Sequence, residues 1–86
     1  MRKTICYSTE GTCSRSIRLT MNDDVIENVE FAGGYPGNLR GISSLVCGMK
    51  AREVIARLKG IRCGDKATSC PDQLCRAIEA VLQGDY

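Results

Sequence analysis

Histidine is absent from this 86-residue chain. That absence removes Cys-His nucleophile pairs, Ser-His-Asp triads and mixed Cys/His zinc sites. A metal site made from these residues must use thiolates, with a carboxylate at most. Tryptophan is also missing and only 5% of residues are aromatic, although a hydrophobic share of 43% still suits one compact domain spanning residues 1–86. No stretch approaches the ~18 consecutive apolar residues of a membrane span. A strong charge excess is lacking too. Twelve basic and ten acidic residues leave a net charge of +2, too balanced to argue for nucleic-acid binding. Met1 to Ser8 carries positive charge with no apolar run behind it, unlike a secretory signal. The expected compartment is therefore the cytoplasm, where stable disulfides are uncommon. Six cysteines in such a chain point to metal or redox chemistry before a disulfide framework.

What is present is concentrated in Thr68-Ser69-Cys70-Pro71-Asp72. Ser69 is a good N-cap, and Asp72 three residues later completes a capping-box-like pattern. Pro71 is tolerated in a first helical turn, where its missing N–H costs nothing. Cys70 then lies among unpaired backbone N–H groups at the positive end of a helix dipole, a position that favours thiolate over thiol.

The remaining pattern predicts an α+β domain, an antiparallel β-meander followed by about three helices on one face of the sheet. Lys3 to Ser8 reads as a short strand. Ser14 to Met21 is clearer, with Ile17, Leu19 and Met21 alternating with polar residues. Asn22-Asp23-Asp24 is a turn by composition. Val25 to Phe31 returns with Val25, Val29 and Phe31 on one face, which Glu27 interrupts. Leu39, Ile42, Leu45, Val46 and Met49 form a first helical stripe, and Ala51, Val54, Ile55 and Leu58 a second that Gly60 closes. Leu74, Ala77, Ile78 and Val81 form the buried face of a third helix ending near Gly84.

On a helical wheel Cys70 lies within about 40° of Leu74, and Cys75 lies about 140° from Cys70. Cys47 falls away from its helix's apolar stripe. Six residues lie between Cys63 and Cys70, few enough for the two to share an ion but not C-x-x-C spacing. Cys13 follows Gly11-Thr12 at the mouth of the first hairpin, and Cys6 can lie across it. A small buried hydrophobe is the competing reading for each. The loop Gly33-Gly34-Tyr35-Pro36-Gly37-Asn38 can cradle an anion before a helix, yet it matches no phosphate-loop pattern and also reads as a plain strand-to-helix turn. Gly33, Gly34, Tyr35, Gly37 and Asn38 are its binding candidates. Arg40, Lys50, Arg52, Arg57, Lys59 and Arg62 are expected on solvated helix faces.

Gly11 to Ser14, Gly33 to Asn38, Gly60 to Cys63 and Thr68 to Asp72 together resemble the small stand-alone TSCPD domain proteins. Similar domains occur at the C-terminal end of cobalamin-dependent ribonucleotide reductases. The resemblance implies an association with ribonucleotide reduction, and a reductase of that kind or another protein as partner. Eighty-six residues cannot hold the large barrel that performs the radical chemistry, so no reductase activity is expected of the chain alone. The family has four characteristic cysteines, of which Cys13, Cys63 and Cys70 match. The fourth belongs in the glycine loop, where this chain carries Tyr35. Three functions follow. The first is a zinc or iron–sulfur module held by Cys13, Cys63 and Cys70, with Cys6 or Cys75 as fourth ligand or water in its place. The second is a nucleotide- or protein-interaction module with structural cysteines. The third is a thiol-redox accessory in which Cys70 attacks and Cys63 or Cys75 resolves.

Overall fold

The computed structural model describes residues 1–12, 14–34 and 36–84, with Pro36 described by its backbone alone. Three strands, β1 (Arg2–Ser8), β2 (Ser14–Asn22) and β3 (Val25–Gly33), precede three helices, α1 (Pro36–Val46), α2 (Ala51–Leu58) and α3 (Cys70–Gln83). The sheet is antiparallel in the order β1-β2-β3. The α+β meander expected from the sequence is the fold observed.

The strict alternation of β2 decides which way the sheet faces. Ile17, Leu19 and Met21 are buried while Arg18 is exposed. Ile5 of β1 pairs with Leu19, and Ile26 and Val29 of β3 extend the same face. The opposite face carries Thr4, Cys6, Arg18 and Thr20, with the Thr4 and Thr20 hydroxyls 3.0 Å apart. In β3 the expected face is corrected. Thr20 pairs with Asn28 but Met21 pairs with Ile26, so Glu27 is the extra residue of a β-bulge. The bulge reverses the alternation. Ile26 is therefore fully buried and Val25 only partly. Glu27 accepts from Arg2 Nε at 3.0 Å.

Between β2 and β3 the turn passes through Asp23 with φ 56°, a left-handed conformation that Asp tolerates. The link between α1 and α2 docks on the start of β3. Gly48 N–H donates to Ile26 O at 2.7 Å, Ile26 N–H to Met49 O at 2.9 Å and Ala51 N–H to Asp24 O at 2.7 Å. α1 lies against β3, α3 lies against β1 and β2, and α2 packs on α3. The core joins Ile5, Ile17, Leu19, Met21, Ile26 and Val29 of the sheet to Val46, Ala51, Val54, Leu74, Ala77, Ile78 and Val81. Leu45 departs from its expected place in the α1 stripe and is 76% exposed. It points about 100° away from Val46, and the link to α2 docks on the start of β3 without covering it. Gly84 ends α3 at φ 73°, donating to Ala80 and Val81 carbonyls, as a left-handed cap does. No helix among the described residues is long and apolar enough to cross a membrane.

Candidate cysteine site at the start of α3

The first turn of α3 is built by the residues that flank Cys70. Ser69 is the N-cap, its Oγ accepting from Asp72 N–H at 3.2 Å and donating to Ile61 O at 2.6 Å. The reciprocal half of the expected capping box does not form. Asp72 sends its carboxylate to the preceding loop, where Oδ1 accepts from Gly60 N–H at 2.8 Å, and Oδ2 accepts from Thr68 Oγ1 and faces Arg76 Nε at 3.4 Å. The Thr68 hydroxyl, then Gly60 N–H and Arg76, hold the Asp72 carboxyl below its ordinary 3.8 against the opposing effect of burial. Thr68 Oγ1 also accepts from Gln73 Nε2 at 3.0 Å, and Gln73 Oε1 accepts from Glu10 N–H at 3.2 Å. Loop 60–69 is further closed by Cys63 N–H donating to Thr68 O at 3.1 Å.

Cys70 itself is buried. Its sulfur lies 2.9 Å from Thr12 Oγ1 and hydrogen-bonds Ser14 Oγ at 3.3 Å. On its other side opens a cleft of about 580 Å³ where several segments distant in the sequence meet. Thr12 comes from the first hairpin, Gly37 and Asn38 from the start of α1, Arg62 and Cys63 from the loop before α3, and Ser69, Cys70 and Pro71 from the helix start. The rest of the wall is apolar, and it includes the exposed side chains of Leu45 and Ile61.

The candidate residues divide clearly. Cys63, exposed, and Cys70, buried, share the cleft. Cys13 and Tyr35 lie outside the described residues. Cys6 is exposed on the uncovered face of the sheet, across the core from Cys70. Cys75 is fully buried five residues along α3, its thiol 3.7 Å from Val54 O. Burial, reinforced by the negative charges of Asp72 and Glu79, pushes that thiol from 9.0 up to about 12. Neither Cys6 nor Cys75 belongs to the cleft. Cys47 is exposed beyond α1. The glycine loop divides too. Gly37 and Asn38 face the cysteine cleft, whereas Gly33 and Gly34, at φ 84° and 77°, line a separate hollow of about 450 Å³ with Arg40, Ser43 and Ser44. Among the described residues no three Cys, Asp or Glu side chains gather as a metal site would require.

Thr12, Ser14 and Gln73 were not among the residues the sequence nominated. Gln73 had a visible signal, since it lies within about 40° of Ala77 on the helical wheel. A glutamine in a buried stripe, here 2% exposed, implies a polar partner. Thr12 and Ser14 had none beyond their adjacency to Cys13.

No curated protein and no solved structure matches the chain. The family model of the TSCPD domain matches residues 2–82, so that all three strands and nearly all of the third helix fall within it, and the chain belongs to the TSCPD domain family.

Proposed function

We propose that this TSCPD domain is a metal-binding module whose ligands are the thiolates of Cys13, Cys63 and Cys70, holding zinc or an iron–sulfur cluster. One observation carries the reading. Cys63 and Cys70 line one cleft, and the residues on either side of position 13, Thr12 and Ser14, both hydrogen-bond the Cys70 sulfur. In a chain without histidine, a donor set of thiolates fits a soft, thiolate-liking metal. The start of α3 favours the anionic sulfur that such a ligand requires. Cys6, on the far face, and Cys75, held as a thiol under α2, leave the fourth position to solvent or to a group brought by a partner. Zinc with an open position supplies Lewis acidity, and a cluster supplies one-electron transfer. Protein purified anaerobically under reducing conditions without added metal should contain zinc or iron in proportion to chain. Its absence, together with no uptake on reconstitution, removes the proposal.

A second reading rests on the cleft wall. Leu45 is 76% exposed and Ile61 42% exposed beside the cysteines, which suits a surface that a protein partner covers. The family resemblance makes a ribonucleotide reductase the partner to test. In this reading Cys70→Ser leaves partner binding nearly intact and only lowers stability.

A further inference from the structure

Four of the buried polar residues in the molecule are consecutive or nearly so in the chain, Thr68, Ser69, Asp72 and Gln73, and their partners belong to two separate segments. Asp72 holds the backbone of Gly60, at the head of the loop that carries Cys63. Gln73 holds the backbone of Glu10, in the turn whose Thr12 and Ser14 cover Cys70. Thr68 joins the two, donating to Asp72 and accepting from Gln73. Its methyl group also abuts the turn, since a Cβ at Gly11, where φ is 72°, would stand 3.1 Å from Thr68 Cγ2. Thr9 is itself tied to the start of β2, its N–H donating to Arg15 O at 3.1 Å and its Oγ1 to Ser14 O at 2.6 Å.

We infer that Thr68, Asp72 and Gln73 are positioning residues, a hydrogen-bonded clamp that ties the Cys63 loop and the turn over Cys70 to the first turn of α3 and so controls access to the Cys70 sulfur. Only Cys70 of the signature then meets a ligand, while Thr68 and Asp72 set the places of other residues. The clamp gives the metal reading its geometry and rests on that reading for its purpose, but it is testable without a metal.

The test uses metal-free, chelator-treated chain and iodoacetamide, with alkylation at each cysteine followed by mass spectrometry of peptides. Cys70 reports release of the turn. Cys75, fully buried beneath α2, reports opening of the whole domain. In Gln73→Leu and Thr68→Val, Cys70 is expected to react roughly tenfold faster or more, as two lost hydrogen bonds raise the open population. Cys75 rises only as far as the loss of global stability in urea requires and stays much slower than Cys70. Ile78→Ala, in the core, should speed Cys75 and leave Cys70 unchanged. Thr68→Ser retains the hydroxyl and should restore the wild-type rate at Cys70. Equal rates at Cys70 and Cys75, acceleration of Cys70 by Ile78→Ala as large as by the clamp variants, or no acceleration at Cys70 in those variants overturns the clamp. A cobalt titration of the same variants forms a second arm, in which affinity is expected to fall about 10–100-fold and to recover in Thr68→Ser. Should the wild-type chain bind no cobalt, the metal reading fails while the alkylation result still decides the clamp.

Discussion

Cys70 and Cys75 stand five residues apart on one helix, both buried, in regions of opposite character. Around Cys70 are two hydroxyls, a helix start, a polar clamp and an open cleft. Around Cys75 are core side chains and one backbone carbonyl, and its thiol is pushed up to about 12. Burial alone therefore does not sort the cysteines of this chain. What sorts them is which side of α3 they occupy. The leading turn meets the two loops, whereas the middle meets the sheet and α2. The first region is polar and joined to a surface that can receive a ligand. The second is held by exclusion of water, and its cysteine behaves as a small hydrophobe.

Substitutions should separate the two regions by kind of effect as well as size. Ile78→Ala, in the middle of α3 and 0% exposed, should cost about 2–5 kcal/mol in urea denaturation and leave Cys70 reactivity per folded molecule unchanged. Asp72→Asn disturbs the charged partner of Thr68 and Gly60 and should cost about 1.5–3 kcal/mol. Part of that cost is pH-dependent. Because the folded Asp72 carboxyl titrates below its ordinary 3.8, its contribution is present above about pH 3.8 and is lost as pH falls through the lower folded value. The acid limb of the stability curve should be shallower in Asp72→Asn. The middle of the helix gives the mirror image. With Cys75 raised from 9.0 to about 12, its contribution is complete below pH 9.0 and declines as pH climbs toward 12, by at most about 1.4 kcal/mol per pH unit. Cys75→Ala should remove that alkaline slope, read as a difference curve against wild type. Last and smallest, Arg2→Ala breaks the exposed pair with Glu27 and should change stability by less than about 0.5 kcal/mol. An effect there as large as at Asp72 would mean that the clamp is no more than one polar contact among many.

The fold was legible wherever local pattern and tertiary environment agree. The alternation of Ile17, Leu19 and Met21 gave β2, and Ser69 and Gly84 bounded α3 as their capping preferences require. The bulge at Glu27 was not legible, because an extra residue is defined by cross-strand pairing and leaves a single strand looking merely imperfect. Leu45 was misplaced for a related reason. A stripe marks which residues prefer burial, and where the next helix goes decides which of them obtain it. In the site, the helix start beneath Cys70 followed from Ser69, Pro71 and Asp72 alone. The meeting of Glu10 with Gln73, 63 positions apart, followed from nothing local. Asp72 shows the limit most plainly, since its spacing from Ser69 suggested reciprocal capping and its carboxylate instead secures Gly60.

Cobalt titration of reduced, anaerobic Cys70→Ser and Cys75→Ser beside wild type tests the central claim most directly. The account predicts one cobalt site per chain with thiolate-to-metal charge-transfer absorption in wild type and Cys75→Ser, and an affinity lower by about 100-fold or more in Cys70→Ser. Identical spectra and affinities in the two variants, or no thiolate-bound cobalt in wild type, would contradict it.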